Sequence, residues 1–171
     1  DANGFLLSLP EHPNGQFLGT EISQNTWPRR TQLREFKGNV AHSSYDGFMF
    51  DRNINADNTF GVTGNMHIPR ADPADPNSPM LDTLFEDLTA YKNRNGGIWA
   101  RGEMNTVRNF RSADNAIGYT HASGLGGGEP YTSRVIDSLF VGDSENIGNP
   151  RTPEEIAYGR SLPKRLIPDF P

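Results

Sequence analysis

Four stretches of the chain follow one grammar: an apolar run, a small residue, a few polar residues, a glycine and often a second apolar run. They are Phe36–Phe50, Leu88–Trp99, Phe110–Tyr119 and Leu139–Gly148. Such a chain turns corners. Short β-runs supply the faces, the small residue permits a tight bend, and glycine admits a positive φ where the next strand begins. One turn of this kind cannot bury its own apolar side, so successive turns must stack, with strands ~4.8 Å apart. The step from Ala90 to Ala113 fits a repeat of roughly 20–30 residues. The longer steps from Ala41 to Ala90 and from Ala113 to Gly142 predict loops inserted between coils. The pattern thus predicts an all-β parallel solenoid with inserted loops and few, short helices. A β-sandwich with similar turns is the alternative.

The 171 residues suffice for one domain, read here as 1–171 of a partial β-helix. Coils are expected near 33–51, 84–102, 104–123 and 133–148, with an inserted loop over 52–80 and an irregular segment over 149–171. The prolines of 70–79 force extended or turning backbone, and 124–128 forms a second, glycine-rich insertion. Pro153–Tyr158 predicts a short helix capped by Thr152. With 18 Gly, 13 Pro and only 34% hydrophobic residues, the composition suits a turn-rich β architecture better than a helical bundle. Ten Phe, five Tyr and two Trp argue against disorder. The net charge of -5 argues against a dedicated nucleic-acid binder, and no apolar run approaches the ~20 residues of a membrane span. Without Cys the chain has neither disulfides nor thiolate metal sites. It starts at Asp1 without Met, and is expected to be one stretch of a longer protein, contiguous with further coils.

Several motifs together resemble the family of cell-migration-inducing and hyaluronan-binding proteins and transmembrane hyaluronidases. They are Ala41–Tyr45 with Asp51, Ala90–Asn93, Gly97–Gly102, Ala113–Gly118, Ser138–Gly148 and Gly159–Pro163, in matching order over roughly residues 30–165. The resemblance implies a right-handed, single-stranded parallel β-helix from a secreted or cell-surface protein that binds and depolymerises hyaluronan. The family's upstream G8 domain has no counterpart in this stretch.

Aligning the repeats on their small residue places His42, Tyr91, Asp114 and Asp143 in one column. Stacked in register, Asp114 and Asp143 would lie ~5 Å apart, the separation of a retaining glycosidase pair. Repulsion would then raise one pKa, as a general acid requires. The plainer reading makes each Asp an Asx-turn residue bonded to its own backbone. A lyase would instead need a base and a cation, for which His42, Tyr91, Lys92 and Arg101 are candidates. Hydrolase, lyase and non-catalytic scaffold all stay open on the residues alone.

Lys92, Arg94, Arg101, Arg108 and Arg111 form a basic run, with Glu103 the one acidic residue of 92–111, suited to an anionic polysaccharide or to an ordinary solvated surface. Trp99 is either a sugar-stacking platform or core. Aligning on Gly47 and Gly97 sets Asp51 opposite Arg101, chiefly as an ion pair bracing neighbouring coils. Asp51, Asn53, Asn55 and Asp57 alternate like the start of a calcium loop, but Ala56 and Val62 replace the required Gly and Glu, so an EF-hand is excluded. An irregular calcium site completed by Asp72 or Asp75 is the alternative that survives; no other cofactor is implied.

Overall fold

The computed structural model describes residues 3–54, 60–61, 66–102, 104–122 and 133–162. In chain order its elements are β1 (Phe5–Leu6), α1 (Glu21–Gln24), β2 (Val40–His42), β3 (Asp46–Phe50), β4 (Asn53–Ile54) and β5 (Phe60–Gly61). There follow β6 (Thr83–Glu86), β7 (Thr89–Tyr91), β8 (Gly96–Arg101), β9 (Asn105–Arg108) and β10 (Arg111–Ala113). The last are β11 (Ile117–Ala122), β12 (Arg134–Ile136), β13 (Leu139–Val141) and α2 (Pro153–Tyr158).

Apart from β4 and β5, consecutive strands fall in different sheets, and each pairs in parallel with a strand further along the chain or before it. Among the described residues three parallel sheets result, ordered β1-β3-β8-β11, β2-β7-β10-β13 and β6-β9-β12; β4 and β5 pair antiparallel. Side chains alternate across each strand, so every sheet sends one set of columns inward. Phe5, Phe48, Ile98 and Tyr119 form one such column, and Phe85, Val107 and Val135 another. Phe48, Phe85, Ile98, Val107, Leu88 and Phe110 are at most 1% exposed. Phe50 stacks on Phe85 at 4.2 Å between centroids, and Phe36 meets Phe48, Phe50 and Phe85 edge-on. Burying each such ring stabilises the fold by about 1.5–3 kcal/mol.

The inward column of the second sheet is Ala41, Ala90, Ser112 and Phe140. The sequence alignment, which queued Ala41, Ala90, Ala113 and Gly142, is therefore corrected from its third member onward. The inward position of β10 belongs to Ser112, whose buried hydroxyl accepts a hydrogen bond from the Asn115 amide at 2.9 Å. A polar residue with a satisfied hydroxyl fits where only a small apolar one was sought.

The glycine of the fourth repeat, Gly148, takes the expected positive φ, at 68°, but those of the first three do not. Gly47, Gly97 and Gly118 are aligned across β3, β8 and β11, and none has a positive φ. They are required for space: a Cβ on Gly47 would lie 2.7 Å from the Gly97 carbonyl oxygen, and one on Gly118 2.7 Å from the Phe140 ring. Apart from Gly38, at φ 70° in register with Asp87, the left-handed corners are taken by other residues. Ser43, Lys92 and Asp114 have φ of 57°, 52° and 56° at one corner, and Asp87, Asn109 and Asp137 have 54°, 52° and 50° at another.

Beneath the first of these corners runs an asparagine ladder. Asn115 Oδ1 accepts from the Asn93 backbone and side-chain N–H groups, both at 2.9 Å, while Asn93 Oδ1 accepts from Ser44 N at 3.1 Å. Asn115 Nδ2 also reaches the Ala90 carbonyl. Buried amides thus satisfy backbone groups that the turning chain would otherwise leave unpaired.

Part of the inserted segment is pinned to the flank. Ile68 and Arg70 donate to the Arg29 and Arg30 carbonyls, and Asp72 and Asp75 close Asx-turns onto Ala74 N and Asn77 N. The predicted C-terminal helix is present. Thr152 and Glu155 form a reciprocal capping box, and Gly159 terminates the helix at φ 78°.

Candidate functional site

The left-handed corner of Ser43, Lys92 and Asp114 opens on a cleft of about 680 Å³ between the strand stack and α2. Lys92, Arg94, Asp114, Asp143, Glu154, Tyr158 and Arg160 line it. Local chemistry explains how these groups meet. Parallel pairing carries the same corner from strand to strand, and the capped helix turns the chain back so that Arg160 enters from the opposite wall.

Arg160 is buried and holds both candidate catalytic carboxylates. Its Nη2 donates to Asp114 Oδ1 at 2.6 Å and its Nη1 pairs with Asp143 Oδ1 at 3.0 Å. Asp114 further accepts from Ser144 N at 2.7 Å and from Ser144 Oγ at 2.8 Å. Burial pushes the Asp114 carboxyl up, but the Ser144 hydrogen bonds and the Arg160 charge outweigh it and hold the pKa below the usual aspartate value. The rise expected of a general acid is not found at Asp114. Nor do the two carboxylates share a column: Ala113 faces Val141, which sets Asp114 against Gly142 and leaves Asp143 one residue beyond.

Lys92 reaches the rim beside Gly148. Among the described residues no carboxylate lies within ion-pair distance of its ammonium group. Arg94 lies 5.0 Å from the centroid of the Tyr45 ring, a cation–π arrangement that orients the guanidinium. His42 and Tyr91 project outward from β2 and β7 as an exposed stacked pair, 4.8 Å between centroids and 19° apart.

The remaining candidates belong elsewhere. Trp99 is half-buried on β8, and its indole N–H donates to Asp51 Oδ2 at 2.9 Å. Arg101 Nε pairs with the same oxygen at 2.9 Å, which is the bracing ion pair the glycine alignment suggested. Arg108 pairs with Glu86, so the basic run is distributed over several sheets and only Lys92 and Arg94 reach the cleft. Asn55 and Asp57 lie outside the described residues, as do the side chain of Asn53, Glu103 and the segment 124–128. No group of three metal-ligating side chains occurs among the described residues, and Asp51, Asp72 and Asp75 are engaged as stated.

Sequence reasoning missed Arg160, Ser144, Glu154 and Tyr158. The capping box announced the helix, but nothing local to Gly159–Arg160 showed that the guanidinium would cross to a corner 46 residues earlier.

Comparison with known proteins agrees with this architecture. The family model described as CEMIP beta-helix matches residues 1–49. A Dictyostelium discoideum protein is 31% identical over 95% of the chain, which spans 16% of that protein. Human cell surface hyaluronidase CEMIP2 is 31% identical over 85% of the chain, and mouse cell migration-inducing and hyaluronan-binding protein 31% over 86%. The chain spans only 11% and 12% of those two proteins. By its matched β-helix sequence and its relatives along most of its length, the chain belongs to the family of the cell migration-inducing and hyaluronan-binding proteins and cell surface hyaluronidases.

Proposed function

We propose that the chain is a stretch of a right-handed parallel β-helix from a secreted or cell-surface protein, and that it grips an acidic polysaccharide of the hyaluronan kind. The solenoid reading is supported by three parallel sheets whose strands recur in the same order, and right-handed crossovers are the rule for parallel strands. The substrate class is supported by the names of the relatives, two of which are a hyaluronidase and a hyaluronan-binding protein.

The observation that carries the reading is the cleft with Lys92 and Arg94 at one wall. An ammonium and an oriented guanidinium can meet uronate carboxylates. The Asp114 carboxylate, by contrast, is held ionised by Arg160 and Ser144 and has no proton to give at neutral pH. Asp114 and Asp143 therefore fix the cleft wall, and bond cleavage is assigned to other parts of the longer protein. In this reading the charge of Arg160 serves the fold.

Incubating the chain with high-molecular-mass hyaluronan tests this division. Retarded protein on a native gel with the polymer undiminished in size is the expected result, and Lys92→Ala should weaken the shift about threefold or more. Shortened polymer would return Asp114 and Asp143 to the chemistry, while absence of any shift would overturn the binding role.

A further inference from the structure

We propose that Tyr91 and Ala113 form a slot, outside the cleft and continuous with it, that stacks one sugar ring of the bound polymer. The inference rests on the polysaccharide reading above and gives it a specific subsite.

The outward column next to the corner is His42, Tyr91, Ala113 and Val141. Two of its neighbours are large and aromatic, and the third is a methyl group. His42 stacks against one face of Tyr91 at 4.8 Å, so the other face of the phenol ring looks along the column across Ala113 toward Val141. From Tyr91 to Val141 is two strand spacings, roughly 10 Å. A ring packed at van der Waals distance from a wall on each side needs roughly 7–8 Å. The space above Ala113 thus has the thickness of one pyranose, floored by the shortest side chain that still has a Cβ.

The chemistry of the walls selects the ligand. A phenol face packs on the C–H face of a pyranose, and Tyr91 is still 36% exposed after His42 has covered its other side. Lys92 follows directly and carries its ammonium to the cleft rim. A uronate is the residue that meets both, with its apolar face on Tyr91 and its carboxylate toward Lys92. His42 is a positioning residue here: it backs the Tyr91 ring and holds it perpendicular to the column. The neighbouring Val40 and Leu139 are exposed, which leaves this sheet face open beside the slot.

Calorimetric titration of the chain with a hyaluronan decasaccharide tests the slot. Tyr91→Phe should bind within twofold of the parent, because the ring and not the hydroxyl makes the contact. Tyr91→Ala should weaken binding about three- to tenfold. Ala113→Leu fills the slot while leaving Tyr91 and His42 in place, and should weaken binding by the same factor with little change in melting temperature. His42→Ala should show a smaller loss that His42→Phe restores. If Tyr91→Ala and Ala113→Leu both bind like the parent while Lys92→Ala weakens binding, the cleft reading stands and the slot is wrong. A parent chain that fails to bind the decasaccharide overturns both.

Discussion

At the scale of single residues, identity matters less than where a corner or a column places the side chain. Asp114 is an aspartate in the left-handed region, where Asn and Asp are enriched, and its carboxylate is taken up by Ser144 and Arg160 rather than by its own turn. His67 is a second case. It is buried between β6 and the 28–31 segment, with Nε2 2.8 Å from the Thr31 carbonyl and Nδ1 3.3 Å from the Thr83 hydroxyl. Burial lowers its pKa, against the raising effect of the Thr31 carbonyl. In the unfolded chain His67 takes up a proton near the ordinary value of 6.5, before it does so in the fold. Its contribution to stability is therefore complete above that pH and is lost as pH falls through the depressed native value. The Asp114 shift has the same sign, with its loss confined below the ordinary value of 3.8. Thermal melts from pH 7.5 to 5 should show stability falling by up to about 1.4 kcal/mol per pH unit, a slope His67→Gln should flatten. Equal slopes for parent and variant would show that His67 does not titrate in this range.

Among elements, the strands are short and two of the sheets rest on runs of three or four residues, so the corners between them carry much of the specificity. The asparagine ladder links three such corners through Asn93 and Asn115. Asn115→Ala would leave Asn93 N and the Ala90 carbonyl without these partners in a buried setting, at a cost of about 2–4 kcal/mol. Chemical denaturation should show that loss, whereas exposed Asn146→Ala should change stability by less than about 0.5 kcal/mol. An Asn115→Ala chain as stable as its parent would reduce the ladder to decoration. These elements also show what the sequence made legible. Apolar runs punctuated by polar turns announced short strands in parallel sheets, and Thr152 followed by Pro153 announced the helix. The inward position of β10 was misread because Ser112 satisfies its hydroxyl locally, which no spacing rule displays. The glycine column was noticed for the wrong reason, since its need for space arises only once the neighbouring coil is in place.

For the molecule as a whole, stacking converts distances of 20–50 residues in the chain into nearest-neighbour contacts. The core is therefore continuous along the middle strands and opens at the last described one. Ala41, Ala90 and Ser112 are at most 4% exposed, while Phe140 in the same inward column is 46% exposed. The candidate site was only half legible at this scale. Lys92, Arg94, Asp114 and Asp143 were picked out and do line one cleft, but the wall that Arg160 and Tyr158 supply comes from a return of the chain that no repeat encodes. Both the cleft and the slot depend on the pairing of Ala113 with Val141 rather than with Gly142. The chain has no Cys, so introduced pairs can report this register without interference. Directly opposed residues in neighbouring strands lie ~4.8 Å apart, within the Cα window for a disulfide. Under mild oxidation, Ala113→Cys combined with Val141→Cys should cross-link rapidly and almost completely, and Ala113→Cys combined with Gly142→Cys slowly or not at all. Preferential cross-linking of the 113–142 pair would contradict the stacking on which the cleft and the slot are built.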